Sequence, residues 1–192
     1  DVANSLRFNG ASDDSLNRTL GTPTNNLKWS ISFWIKRTEL AVEDAIMTSN
    51  TNAQNRGMVL FRTNDQLDIL DIQSDSFAMQ KTTNRKFRDT SAWYSILISS
   101  DATLSSPATK IYVNGVEETS FATTNEYTQN QANKWNSAIS NHIGNDGSAR
   151  DGSYYLAEFV FVDGQVLSPT DIGEFDSDSP NIWKPIDVSG LT

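Results

Sequence analysis

Cysteine is absent from the 192 residues, and histidine occurs once. The first absence excludes disulfides, thiolate metal ligands and a cysteine nucleophile. A single histidine, His142, leaves few routes to a catalytic triad or a histidine-based zinc site. Positive charge is scarce too: 15 Lys and Arg stand against 24 Asp and Glu, for a formal net charge of -9. Such a chain lacks the positive field that a nucleic-acid groove or an anionic membrane surface requires, so neither is expected as a partner. No apolar run approaches the roughly 20 residues of a membrane span, and membrane insertion is not expected. No signal peptide is visible and residue 1 is Asp, which fits a processed chain or a piece cut from a longer one.

What is present is a series of short apolar-polar alternations separated by Asn, Asp, Gly, Ser and Thr, the pattern of an all-β chain. In Trp29 to Lys36, Ile31, Phe33 and Ile35 point one way and Ser30, Ser32, Trp34 and Lys36 the other. Only a period of two sorts these residues into faces. Met58 to Arg62, Gln66 to Ile72, Phe77 to Gln80 and Trp93 to Ser99 read as further strands. Lys110 to Thr119 reads as a hairpin turning at Asn114-Gly115, a pair suited to a turn with two positive φ angles. Tyr154 to Phe161 predicts a strand that turns near Asp163-Gly164 and returns through Val166-Leu167. Ser168-Pro169-Thr170-Asp171 has a helix N-cap, a proline at the first helical position and an acid at the positive end of the dipole, with Gly173 keeping the helix short. Asn50 to Gly57 and Asn125 to Asn141 read as irregular loops. The expected fold is all-β: a dozen or so strands in two packed antiparallel sheets with one short helix near the C-terminus. Residues 1–192 are read as one domain, a length that fits a single core.

The segments SLRFNG, WSISFWIKR, FRDTSAWYSI, KIYVNGV and YYLAEFVFVDGQVLSPTDIGEFD, with the closing WKP, resemble the laminin-G-like, concanavalin A-like domains of tailed-phage virion proteins. The likeness runs from about Ser5 to Pro185. It implies a jelly-roll sandwich displayed on the outside of a particle, hence extracellular, as part of a tail, fibre or capsid decoration. It implies multiple copies or a homo-oligomer, with neighbouring virion proteins or host cell-surface polysaccharide as partners. It also implies that some relatives hold Ca²⁺ at a sheet rim. Many relatives carry Ile-Asp-Glu in the late strand, where this chain has Leu156-Ala157-Glu158, so the usual Asp is missing.

The residues bear on three chemistries. Glycoside hydrolysis needs two carboxylates about 5–9 Å apart across a cleft. Asp68 and Asp71 are three apart and leave a regular strand on opposite faces, and Glu117-Glu118 also diverge, so no catalytic residues are expected and the chain reads as non-enzymatic. Calcium wants six to eight oxygens. The loop Asn145 to Asp151, with Asp146 and Asp151, precedes the strand bearing Glu158, and Asp13 and Asp14 follow an early strand that would end at the same rim. These five acids are the expected ligands, although Arg150 within the loop is placed to neutralise Asp146 or Asp151. Glycan binding calls for aromatic faces beside amides, and the Asn125–Asn141 segment offers Tyr127, Asn130, Asn133, Trp135 and Asn136. The same segment would equally serve to hold a neighbouring subunit.

Overall fold

The computed structural model describes residues 4–147 and 150–191. Its strands are β1 (Leu6–Phe8), β2 (Leu16–Thr19), β3 (Lys28–Arg37), β4 (Asp44–Asn52), β5 (Asn55–Phe61), β6 (Gln66–Gln73), β7 (Ser76–Lys86), β8 (Tyr94–Asp101), β9 (Ala108–Val113), β10 (Val116–Glu117), β11 (Phe121–Asn125), β12 (Ser140–Ile143), β13 (Tyr154–Asp163), β14 (Gly173–Phe175) and β15 (Trp183–Pro185). Six of them form one sheet in the order β1-β13-β3-β8-β9-β10. Seven form the other, β11-β7-β6-β5-β4-β12-β2, and β14 and β15 make a small ribbon.

The alternation in β3 decides how these layers stack. Trp29, Ile31, Phe33 and Ile35 are fully buried between the two sheets, facing Val59, Phe61, Leu67 and Ile69 of β5 and β6. Trp34 faces the other way and joins Leu97 of β8 in a second cluster, closed over by Leu167, Ile172 and Trp183 from the C-terminal segment. A strand covered on both sides must be apolar on both, which is why β3 carries tryptophans of both parities. The Asn114-Gly115 turn has φ of 50° and 79°, as its sequence requires. Gly115 has a second reason to be glycine: a Cβ there would lie 2.5 Å from the Trp183 ring.

Arg37, at the end of β3, is fully buried. Its guanidinium donates to Asp65 Oδ1 at 3.1 Å, to the Phe87 carbonyl at 3.0 Å and to Asp44 Oδ2 at 3.3 Å. It also lies 4.4 Å from the centroid of the Phe61 ring. A buried cation is tolerated only when partnered in this way.

The two packed antiparallel sheets are as expected from the sequence. Three local readings are corrected. Asn50 to Gly57 is the tip of the β4–β5 hairpin rather than a loop, because a polar run satisfies a sheet edge as readily as a turn. The C-terminal helix is a single 3-10 turn, Pro169–Asp171, in which the Ser168 amide donates to Asp171 Oδ2 at 2.7 Å. Val166-Leu167 does not return as a strand; it crosses the outer face of the six-stranded sheet and seats Leu167 in the second cluster.

Candidate functional site

At one end of the sandwich three connections meet: the turn after β1, the loop before β4, and the loop before β13. Asn9 caps the first, its side chain accepting from the Ala11 amide at 3.3 Å, and Asp13 closes it in a left-handed conformation, φ 55°. Gly10 lets this turn press on the third loop, since a Cβ there would lie 2.9 Å from the Asp151 carbonyl oxygen. Asn145 Nδ2 donates to Asp13 Oδ1 at 3.0 Å and ties the two loops together.

Arg150 organises what faces solvent. Its Nη1 donates to Asp146 Oδ2 at 2.6 Å and its Nε to Glu43 Oε2 at 2.7 Å. Glu43 in turn accepts from Arg62 Nη1 at 2.9 Å, and Arg62 Nε donates to Asp68 Oδ2 at 2.8 Å. Asp68 also accepts from Gln80 and from the Thr82 hydroxyl, the latter at 2.8 Å. A chain of charge-assisted bonds thus crosses the outer face of the seven-stranded sheet to the rim. Two depressions flank Arg150. One, of 560 Å³, is lined by Glu39, Val42, Glu43, Asp44, Asp151 and Ser153 as well as Arg150. The other, of 230 Å³, adds Thr48, Asn50, Arg56 and Asp146.

Beside them the carboxyls of Asp13 and Asp151 approach within hydrogen-bond reach. Burial first, then the Asp13 carboxyl and the charge of Asp146, hold Asp151 above the usual carboxylate range. Asp151 Oδ1 is buried without a hydrogen-bond partner. Two carboxylates in contact call for a shared proton or a cation between them.

The five acids expected to share a metal are not all brought together. Asp14 turns back to accept from the Asn9 amide at 3.2 Å. Asp146 is paired with Arg150. Glu158 sits at a bulge in β13, φ 49°, and lines a groove on the open edge beside Leu6 and Phe159. Ser148 and Ala149, within the same expected loop, lie outside the described residues. Among the described residues no group of three or more Asp, Glu or His side chains is arranged to hold a metal ion. Asp13 and Asp151 remain as a pair.

The expected glycan-binding set is corrected more fully. Trp135 is fully buried, its ring 5.5 Å from that of Trp29. Tyr127 is buried and its hydroxyl donates to Asp71 Oδ2 at 2.8 Å. Asn133 Nδ2 donates to the Asn26 carbonyl, and Asn136 Nδ2 to the Asn25 carbonyl at 3.0 Å and to Asp163. These side chains are spent inside the molecule and have no face left for a sugar. Asn130 is exposed, at φ 60°. The segment plugs the end of the sandwich because its amides satisfy the backbone of the 25–28 connection while its aromatics fill the core. Sequence reasoning missed Glu43 and Arg62; the one signal available was the Arg150 already placed beside Asp146.

The laminin G model of the concanavalin A-like lectin/glucanases superfamily matches residues 9–173. The chain belongs to this superfamily. Among solved structures, this laminin-G-like domain is similar to a heptameric SAP-like pentraxin of Limulus polyphemus, with TM-score 0.55 and 16% identity over 81% of this chain and 71% of the pentraxin. Domains LG4-5 of the mouse laminin α1 chain give TM-score 0.61 at 13% identity, over 100% of this chain and 46% of theirs. Domain 4 of AbnA, an extracellular arabinanase of Geobacillus stearothermophilus solved with arabinotriose, gives TM-score 0.54 at 18% identity, over 75% and 64%. At these identities the likeness speaks for the fold. No curated protein matches the laminin-G-like domain.

Proposed function

We propose that this laminin-G-like domain is a non-enzymatic carbohydrate-binding module whose ligand lies in the open rim cleft centred on Arg150. The observation that carries the reading is the guanidinium standing between two depressions of mixed lining, with Glu43 and Asp146 fixed on either side of it. Sugar hydroxyls are both donors and acceptors, and a wall of rigidly held carboxylates and amides meets both needs without reorganising. The arabinanase domain that shares the fold was solved with arabinotriose, which supports a saccharide as the ligand class.

A hydrolase reading finds less support. Glu43, Asp68 and Asp146 are each neutralised by an arginine. Asp13 and Asp151 touch, whereas glycosidase carboxylates stand about 5–9 Å apart to bracket a sugar. The test is a glycan array followed by calorimetric titration of the best binder. Binding weakened about tenfold or more in Arg150→Ala supports the site. Absence of any binder, binding indifferent to Arg150, or release of reducing ends from the bound glycan overturns the reading.

Calcium is a second proposal at the same rim, supported by the buried, unpartnered Oδ1 of Asp151 and by the Asp13 carboxyl beside that side chain. These two carboxylates would hold the ion, with carbonyls and water completing a hard oxygen shell. Its service would be to neutralise the pair and fix the turn after β1 against the loop before β13.

The setting we propose rests on the motif resemblance, above all FVDGQVLSPTDIGEFD. It is the outer surface of a tailed-phage particle, in a tail, fibre or decoration, with multiple copies facing host polysaccharide or neighbouring subunits. Electron microscopy of intact particles tests it: the domain on the outside with a free rim supports adhesion, a rim buried by neighbours supports a cementing role, and absence from particles overturns the setting.

A further inference from the structure

The two sheets part along the edge where β1 and β13 of one layer lie over β12 and β2 of the other. A slot of 310 Å³ opens there, within the range of small-molecule sites. Phe159 and Phe161 of β13 form one wall, and Leu16, Leu20, Met47 and Ile143 the other. The register explains why these residues meet. Leu16 pairs with Ile143, and Arg18 with Asn141, across β2 and β12. Directly opposed residues in an antiparallel pair share a face, so all four side chains lie on the side turned towards β13. β1 covers β13 only from Tyr154 to Leu156, which leaves the slot uncovered beyond that point. It continues past Leu16, Ile143 and Phe159 into a second groove of 240 Å³ that reaches Leu6 and Leu156. Leu6 and Leu16 are 56% and 50% exposed at its lips.

Asn17, Arg18 and Asn141 are the polar residues of this lining, and the last two carry unpartnered groups. Arg18 makes no ion pair or side-chain hydrogen bond among the described residues. Asn141 is 6% exposed, and while its Nδ2 donates to the Ile139 carbonyl at 3.1 Å, its Oδ1 is buried with no donor. An unsatisfied buried acceptor of this kind marks a place where a donor is missing. On a chain of net charge -9, a free guanidinium beside an apolar slot selects an anionic head. The cross-strand pairing sets the two groups side by side, with Cβ atoms about 5 Å apart.

We propose that this slot binds a 3-hydroxyalkanoate-type amphiphile: a carboxylate on Arg18, a hydroxyl two carbons away donating to Asn141 Oδ1, and an alkyl chain running between Phe159, Phe161 and Leu16 towards Leu6. The site lies on the open edge of the sandwich, apart from the rim cleft, and its ligand contains no sugar, so the two readings fail independently.

The test titrates the full chain with 3-hydroxydodecanoate, dodecanoate and methyl dodecanoate below their aggregation concentrations, followed by calorimetry and by melting temperature. The expected result is saturable one-to-one binding of both acids, the hydroxy acid tighter, and the ester weaker by about tenfold. Arg18→Ala, on an exposed strand, is expected to lose the preference for acid over ester. Asn141→Leu is expected to bind the two acids equally. Ile143→Trp, which fills the slot, is expected to abolish binding while the melting temperature confirms folding. Absence of saturable binding, equal affinity for acid and ester, or equal affinity of the natural chain for the two acids overturns the proposal.

Discussion

The indole of Trp135 occupies the space that a side chain at position 57 would need: a Cβ built on Gly57 lies 2.7 Å from Cε2 of Trp135. The glycine sits in β5, in the middle of the seven-stranded sheet, and the tryptophan comes from an irregular segment nearly eighty positions later in the chain. The pair locks that segment into the end of the core.

Trp135→Ala is therefore expected to destabilise the domain by about 3–5 kcal/mol, the cost of emptying a large aromatic site. Gly57→Ala is expected to destabilise it as well, by steric conflict with the ring, and to do so much less when Trp135 is already Ala. Urea unfolding of the two single variants and the double variant measures the coupling. Independent, additive effects would show that the contact is not what holds the segment.

Asp71 offers a test in pH. Burial pushes its carboxyl up to about 6 from 3.8, despite the Lys134 amide and the Tyr127 hydroxyl that favour the charged form. Over that interval the folded chain keeps a proton that the unfolded chain has released, so the contribution of Asp71 to stability falls as pH rises from 3.8 to about 6. Asp44, raised by burial to about 6, contributes in the same direction. Asp71→Asn is expected to flatten part of this decline and leave Asp44's share. Melting temperature measured from pH 4 to pH 7 checks it; an unchanged profile would mean that Asp71 is ionised throughout.

At the rim, calcium is expected to raise the melting temperature of the natural chain by mass action and chelator to reverse the rise. Asp151→Asn is expected to lose this response. Without added cation the same variant is expected to be the more stable at neutral pH, because the raised carboxyl of Asp151 is a burden once it ionises beside Asp13. A natural chain whose melt ignores both calcium and chelator removes the ion from the rim.

Arg150 is expected to matter for ligand more than for folding. It is about one-third exposed, and exposed ion pairs contribute about 0–1 kcal/mol each. Arg150→Ala should lower glycan affinity about tenfold or more while shifting stability by no more than about 2 kcal/mol. A large loss of stability with affinity intact would make Arg150 a structural tie between Glu43 and Asp146 and nothing else.

The alternating residues of β3 and β8, the Asn114-Gly115 turn and the absence of long apolar runs determined by themselves that the chain folds as two facing antiparallel layers, since a period of two is set by local backbone geometry alone. They also determined that Asp68 and Asp71 diverge, as their separate partners Arg62 and Tyr127 bear out. Which aromatics are buried was decided only by the tertiary structure. A loop rich in Asn, Tyr and Trp reads the same whether it faces water or plugs the end of a sandwich, and only Gly57, Trp29 and the 25–28 backbone show that Trp135 and Asn136 are spent inside. The rim was decided the same way. Glu43, Arg150, Asp13 and Asp151 are far apart in the chain, and their charges interact only because three connections are brought to one end by strands that pair at long range.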